Sequence, residues 1–331
     1  MIMEVGKVSE SVLKRSILKQ IKHRREEVLV GPGVGEDCCV VDLAEGEVAV
    51  LSADPITGTK EMLGTLAVHI TANDIASSGA DLVGILLTIL LPEGFREAEL
   101  KEIMKEAEAV CATLNIEIMG GHTEITTAVN QPIITVTGVG KMQKSKVIKT
   151  AGALPGDEIV MTKWAGLEGT AILAKEKEVE LLTRYNKDFI HSGQNLAHMI
   201  SVVPESKVGI RLGVRAMHDV TEGGIYGALW EMGAASGVGM EVDLTKIPIR
   251  QETIEICEFY DLNPYQLISS GVMLMITDKG NLLVEELKKA GIPAAVIGRI
   301  TGGNDRVVLN EEERRFLSPP KSDELYKVAF D

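Results

Sequence analysis

Acidic residues stand at five places where the chain carries glycine or changes direction: Gly35-Glu36-Asp37, Ala53-Asp54-Pro55, Asn73-Asp74, Gly120-Gly121-His122-Thr123-Glu124 and His218-Asp219. Carboxylates drawn from several loops suit a hard divalent cation such as Mg2+, which takes oxygen ligands and bridges to substrate phosphates. A compact His/Cys cage is the alternative design, and His69, His191 and His198 lack metal spacing with acidic partners. The set therefore points to an enzyme that handles a metal-nucleotide complex, with the second substrate open.

Each position also has a plainer reading. Asp37 follows Gly33, Val34, Gly35 and Glu36 in a loop whose glycines allow close backbone approach to a ligand, but glycine plus acid is equally a turn. Asp54 is expected at the C-terminal end of a strand, where Asp-Pro also starts turns. For Asp74 the register matters: Leu63, Leu66, Ala67 and Ile70 lead by threes and fours to Asn73 and Asp74, so the polar pair continues an apolar stripe. A carboxylate so placed needs a cation or hydrogen bonds. A helix rotated to turn Val68, Thr71, Ala72 and Ile75 inward would remove that demand.

Gly120 to Glu124 is expected to end a strand and bend sharply, which suits a phosphate or metal position. His122 there is a ligand, a base or a hydrogen-bonded structural residue. Asp219-Val220-Thr221-Glu222-Gly223-Gly224 precedes a helix, offering N–H groups to a phosphate with Asp219 toward a metal, or forming a cap and glycine turn. Ser269-Ser270-Gly271, before a buried strand, is placed to line a substrate pocket. Neither a Gly-x-Ser-x-Gly elbow nor a Gly-x-x-x-x-Gly-Lys-Ser/Thr loop occurs, which disfavours serine hydrolases and P-loop enzymes.

The elements that must position these residues follow from periodicity. Ser9 to His23 reads as an amphipathic helix, and Cys38–Val41 with Val48–Ser52 as a hairpin. A helix is expected over Glu61–Ser78, then a buried strand over Gly84–Leu91. A surface helix marked by Leu100, Ile103, Met104, Ala107, Val110, Cys111 and Leu114 should pack on that strand. Strands follow at Glu117–Met119 and Ile133–Val139. Beyond the turn Pro155-Gly156-Asp157 come a strand at Glu158–Thr162, a helix opened by Gly166-Leu167-Glu168-Gly169-Thr170, and a polar helical stretch over 185–201. The strand Arg215–His218 then leads to a helix at Ile225–Ala235, a strand at Val272–Ile276, a helix at Asn281–Ala290 and a strand at Ala294–Ile300. This alternation indicates an α/β or α+β design in two domains, 1–152 and 153–331.

The 331 residues, 45% hydrophobic and 25% charged, suit two globular domains with aliphatic cores, since aromatics are only 4%. With 34 basic and 48 acidic residues the formal charge is -14, and no basic stripe stands out, so nucleic acid is a poor partner. The start has no signal-peptide pattern and the apolar run Val83–Leu91 is too short to span a bilayer, so a cytoplasmic protein without membrane contact is expected. Cys38, Cys39, Cys111 and Cys257 show no C-x-x-C spacing and read as reduced small hydrophobes.

Taken in order, Gly35-Glu36-Asp37, Asp54, Ala72-Asn73-Asp74-Ile75-Ala76-Ser77-Ser78-Gly79-Ala80, Gly120-Gly121-His122-Thr123-Glu124, Pro155-Gly156-Asp157 and His218-Asp219-Val220-Thr221-Glu222-Gly223-Gly224 resemble the aminoimidazole ribonucleotide (AIR) synthetase superfamily, nearest its HypE-like branch. The resemblance spans nearly the whole chain. It implies an N-terminal domain that pairs with its copy, closing a β-barrel across a homodimer, and a C-terminal α/β domain. ATP would lie between the domains with Mg2+. Asp37, Asp54 and Asp74 match the metal and phosphate carboxylates, and Asp219 the acid of the C-terminal motif.

The function so implied is transfer of the γ-phosphoryl group to a carbonyl, amide or phosphate oxygen of a small substrate. Asp37, Asp54, Asp74 and Asp219 would be metal ligands, and Gly35, Glu36, Asn73, Gly120, Gly121, Thr123, Asp219, Gly223 and Gly224 would surround the nucleotide. Asp74, His122 and Glu124 are the catalytic candidates, His122 as proton acceptor. Two departures stand out. His122 follows the Gly-Gly pair where several relatives carry an acid, and the last cysteine is Cys257, so a reactive terminal thiol of the HypE kind is missing. The competing expectation is a nucleotide-binding partner protein without turnover, acting in a maturation pathway. A third is a dimeric scaffold whose acids are caps and turns.

Overall fold

The structure is a computed structural model that describes residues 10, 14, 28–30, 33–36, 38–43, 45–56, 62–319 and 322–328. The helix expected over 9–23 falls largely outside the described residues, as does Asp37. The chain divides into two compact units, one of Arg25–Gly31 and Asp37–Val147, the other of Met1–Arg24, Pro32–Glu36 and Ile148–Asp331.

The smaller unit carries β1 (Val28–Val30), β2 (Cys39–Asp42), β3 (Glu47–Ile56), α1 (Leu63–Ser77), β4 (Asp81–Leu91), α2 (Glu97–Leu114), β5 (Glu117–Ile125) and β6 (Ile133–Gln143). Its strands form one sheet in the order β1-β2-β3-β6-β4-β5. β3 and β6 pair antiparallel from Glu47↔Gln143 to Ile56↔Ile134. Burial alternates along both, so one face is covered and the other is not. The strand does not stop at Asp54-Pro55 but runs on to Ile56, because the partner strand continues opposite it.

The covering element is α1. A Cβ on Gly138 would stand 2.6 Å from the Thr71 methyl and 3.2 Å from Ile75 Cγ1, so the glycine on β6 is what admits the helix. On the other side α2 approaches so closely that a Cβ on Gly64 would meet the Ile103 carbonyl oxygen at 2.2 Å. α1 is thus enclosed between sheet and helix. Leu63, Leu66 and Ala67 are buried, and so are Val68, Thr71, Ala72 and Ile75. The two registers weighed from sequence are both inward, and the polar pair Asn73-Asp74 is buried whichever face is considered. α2 packs chiefly on α1 rather than on the buried strand expected beneath it. The reason is that α1 already occupies that layer.

β5 also departs from expectation. It pairs parallel with β4 from Gly84↔Glu117 to Leu91↔Ile125, passing straight through Gly120-Gly121 with no sharp bend. The two glycines, at φ +152 and +146, take a backbone other residues avoid, and a Cβ on Gly121 would lie 1.9 Å from the Leu87 carbonyl oxygen. Close approach of the neighbouring strand, with a bulge at Ile85/Leu86, is what these glycines serve. β5 is an edge strand and is exposed along most of its length.

The larger unit begins at β7 (Glu158–Thr162) and continues through α3 (Leu167–Glu176), α4 (Glu178–Leu181), α5 (Lys187–Gln194), α6 (Val203–Leu212), β8 (Ala216–Val220), α7 (Gly224–Ser236), β9 (Gly239–Asp243), α8 (Gln251–Phe259), β10 (Val272–Thr277), α9 (Gly280–Lys289), β11 (Ala294–Thr301), β12 (Arg306–Asn310) and β13 (Glu313–Phe316). The sheet order is β13-β12-β9-β11-β7-β10-β8. β10 is buried at every residue, as its unbroken apolar run Val272–Ile276 requires. The polar stretch over 185–201 is not one helix: α5 ends at Gln194 and a 3-10 turn spans Asn195–Met199. Strands β9, β12 and β13 were not evident from periodicity. Cys111 and Cys257 are buried thiols, pushed by desolvation to about 11 and about 12, and none of the four cysteines is in a disulfide.

Candidate active site

In the smaller unit the site is built where β3 meets the C-terminal half of α1. Val48, Val50, Ser52, Asp54 and Ile56 alternate onto the face of β3 that α1 covers. Ser52, 6% exposed, donates its hydroxyl to a carboxylate oxygen of Asp74, itself 4% exposed. The Asp74 carbonyl receives the Cys38 thiol at 3.0 Å and the Ser77 hydroxyl at 2.6 Å. Asn73 is fully buried beside it, and Asp54 is half-buried two residues along β3 from Ser52. The buried carboxylate expected from sequence is therefore real, and its partner is a serine that sequence reasoning did not single out.

His122 and Glu124 lie elsewhere. Both are exposed on β5, opposite Thr88 and Leu90, with His122 Nε2 3.1 Å from Glu124 Oε2. Residues i and i+2 share a strand face, so the pair follows directly from the extended backbone. Thr123, Gly120 and Gly121 are exposed on the same strand. Among the described residues no three His, Cys, Asp or Glu side chains converge closely enough to hold a metal.

In the larger unit β8 is buried throughout and delivers His218 and Asp219, 2% and 1% exposed, to the loop before α7. His218 Nε2 lies 2.9 Å from Glu231 Oε2 on α7. The glycine-rich loop packs on that same helix: Gly35, at φ +71, would bring a Cβ to 3.1 Å from the Glu231 Cβ, and Glu36 is half-buried next to it.

The N–H groups at the start of α7, read from sequence as phosphate donors, have internal acceptors. Gly223 N donates to Asp323 Oδ2 at 2.7 Å, Gly224 N to the Thr221 carbonyl at 3.1 Å and Tyr226 N to the Tyr265 carbonyl at 3.1 Å. Gly224 is required by crowding, since a Cβ would stand 2.7 Å from the carbonyl oxygens of Leu267 and Tyr265. Asp323 also accepts from Ile268 N at 3.1 Å and Leu325 N at 2.9 Å. Burial nevertheless pushes its carboxyl up to about 6, the three N–H groups working against that rise.

Two further groups escaped sequence reasoning. Glu168, 3% exposed in the first turn of α3, accepts from Ser270 N at 3.3 Å, and burial pushes its carboxyl up to about 7. A signal was present: an acid within Leu167–Ala174, otherwise apolar or small and buried at every position. Lys163 and Glu205 form a buried ion pair at 2.6 Å, the ammonium also donating to the carbonyls of Met199, Ser201 and Gly271 at 2.8, 2.6 and 2.9 Å. Burial lowers the lysine and raises the glutamate, each opposed by the partner's charge.

One α/β unit thus holds a carboxylate at a strand–helix junction, and the other has buried carboxyls around a glycine loop. Residues 35–142 match the AIR synthase related protein, N-terminal domain, and residues 155–310 the AIR synthase related protein, C-terminal domain. The chain belongs to this AIR synthase related family. It is 28% identical to a protein of Methanocaldococcus jannaschii named for hydrogenase expression and formation, over 98% of this chain and 97% of that one. It is 33% identical to the carbamoyl dehydratase HypE of Cupriavidus necator, over 65% of this chain and 59% of the relative. Among solved structures, HypE in complex with ATP superposes with a TM-score of 0.68 at 20% identity, covering 98% of each chain. The thiamine-monophosphate kinase complex AaThiL with AMPPCP and TMP gives 0.73 at 19% identity, covering 96% of this chain and all of that one. The fold is that of these ATP-dependent enzymes.

Proposed function

We propose that this chain binds ATP with Mg2+ and transfers the γ-phosphoryl group to a carbonyl, amide or phosphate oxygen of a small acceptor. The observation that carries the reading is the buried Asp74 carboxylate, held by Ser52 on the face of β3 that also bears Asp54. A carboxylate is taken out of water at a cost, and a site that keeps one at a strand–helix junction has a use for its charge. The donors are all oxygens, which fits Mg2+. Asp54, Asp74 and Asp219, with Asp37 from outside the described residues, are the groups assigned to hold it. The ion would supply neutralisation of phosphate charge.

The chain's own residues do the rest. Ser52 fixes the orientation of Asp74, and Gly35, Glu36, Asn73, Gly120, Gly121, Thr123, Gly223 and Gly224 are assigned to the surroundings of the nucleotide. His122, paired with Glu124, is the candidate proton acceptor of the smaller unit. The name of the Methanocaldococcus relative supports a role beside a maturation partner. The exposed edge strand β5, with Met119 and Ile125 43% and 57% exposed, supports pairing with a second copy.

Thermal unfolding of the wild type and Asp74→Asn, with saturating Mg-ATP and with EDTA as control, tests the proposal. A ligand at about 100 times its dissociation constant stabilises the native state by about 2.7 kcal/mol. The expected result is a metal-dependent rise in Tm for the wild type and none for the variant. A wild type that does not respond sinks the nucleotide reading.

A further inference from the structure

Met1–Arg24 and Pro32–Glu36 both belong with the larger unit, while Arg25–Gly31 between them belongs with the smaller one. Glu10 and Gly35, one from each piece, rest on neighbouring residues of α7. Trp230 donates its indole N–H to Glu10 Oε2 at 3.0 Å, and the Arg306 guanidinium lies 4.5 Å from the centre of the Trp230 ring. At the next position, a Cβ on Gly35 would stand 3.1 Å from Glu231 Cβ and 3.4 Å from the Glu231 carbonyl oxygen. With φ at +71 and no side chain, Gly35 lets the glycine-rich loop approach the helix backbone at this point.

Glu231 meets a second element as well. Its Oε2 lies 2.9 Å from His218 Nε2, and since an ionised carboxylate only accepts, the imidazole donates. His218 is 2% exposed and directly precedes Asp219 on β8, the last strand of its sheet. Pairing with β10 fixes β8 along one edge, and the bond to Glu231 fixes it against α7. A hydrogen bond to an ionised acceptor is shorter and stronger than a neutral one, which suits it to hold a strand end in place. One side chain therefore stands between two strings far apart in sequence, Gly35-Glu36 and His218-Asp219, and all of these residues lie in the larger unit.

We infer that Glu231, acting through His218, is the positioning residue that keeps the glycine-rich loop and the Asp219 end of β8 in fixed relation, so that both are set before a nucleotide arrives. The inference rests on the nucleotide reading above and assigns Glu231 no contact with phosphate or metal. Without the bond to His218, the loop on one side of α7 and the strand end on the other lose their common reference. Their ordering then falls to the ligand, and binding weakens by the entropy of that ordering. The acceptor oxygen of Glu231 is what the tie requires, and its negative charge is dispensable. Glutamine keeps the length and the acceptor, whereas alanine keeps only the Cβ on which Gly35 rests.

The test compares the whole chain with Glu231→Ala, Glu231→Gln, His218→Ala and the double alanine variant. Calorimetric titration with Mg-ATP should give a Kd about tenfold higher for each alanine variant, the scale of one lost hydrogen bond to a charged group. Glu231→Gln should stay within about twofold of wild type, and the double variant should bind no more weakly than either single one, as one shared bond requires. Amide hydrogen exchange at residues 33–36, followed without nucleotide, should quicken in the alanine variants and not in Glu231→Gln. Leu287→Ala, which hollows the core beneath α9, should lose stability yet bind Mg-ATP as the wild type does, which separates positioning from general loosening. An unchanged Kd or unchanged exchange in Glu231→Ala, a Glu231→Gln as weak as Glu231→Ala, or an equal weakening in Leu287→Ala overturns the inference. A wild type that binds no Mg-ATP overturns the nucleotide reading instead, and the exchange rates alone then decide whether Glu231 seats the loop.

Discussion

The hydroxyl of Ser52 on β3 donates to the carboxylate of Asp74 on α1, tying the strand to the helix at the point where the buried polar pair lies. The two residues are 22 apart in sequence, and both are nearly inaccessible to solvent. Removing the serine should therefore cost stability as well as orientation.

Ser52→Ala leaves a buried carboxylate short of one donor, which costs about 1–3 kcal/mol. Urea unfolding should show a lower midpoint with an unchanged slope. A stability within about 0.5 kcal/mol of wild type would mean that the hydrogen bond does not hold the junction.

Lys163 and Glu205 should behave as a coupled pair. Breaking a buried ion pair strands the other charge and costs about 3–5 kcal/mol, whereas replacing both partners by apolar groups is often close to neutral. Lys163→Met and Glu205→Leu should each destabilise strongly, and the double variant less than the sum. Because Lys163 also serves three carbonyl oxygens, recovery should be partial. Additive losses in a double-mutant cycle would contradict the pairing.

Glu168 carries a pH signature. Its carboxyl rises from 4.5 to about 7, so between those values the folded state keeps a proton the unfolded state has released. Stability from this group is present below pH 4.5 and falls as pH rises toward 7, by on the order of 3 kcal/mol. Asp323, raised from 3.8 to about 6, acts in the same direction over its own window. Glu168→Gln should lose less stability than wild type between pH 5 and pH 8 in urea titrations. Parallel curves for the two proteins would contradict the raised carboxyl.

The uncovered edge β5 should mediate self-association. Met119→Glu with Ile125→Glu places two charges on that strand, and like charges meeting across a paired edge are unfavourable. Light scattering after gel filtration should find a dimer in the wild type and at least a tenfold weaker one, about 1.4 kcal/mol, in the variant. An unaltered dimer would move the interface elsewhere.

Much of the scaffold was legible because it is local. Alternation along β3 and β6, the unbroken apolar run of β10 and the helical spacing of α1 and α2 are properties of short stretches, and each became the element its period demanded. The AIR synthase relationship was legible for the same reason, its motifs being contiguous strings.

What escaped the sequence is what neighbours from afar decide. Gly120-Gly121 looked like a bend, but the Leu87 carbonyl on the adjacent strand makes it a straight passage only glycine fits. Gly223 looked like a phosphate donor until Asp323, 100 residues away, took its N–H. Residue types and their order determined which carboxylates the chain possesses and which short elements carry them. Only the tertiary structure decided which of them lose water and which backbone donors are already spent, because burial and hydrogen-bond satisfaction are set by atoms from distant segments.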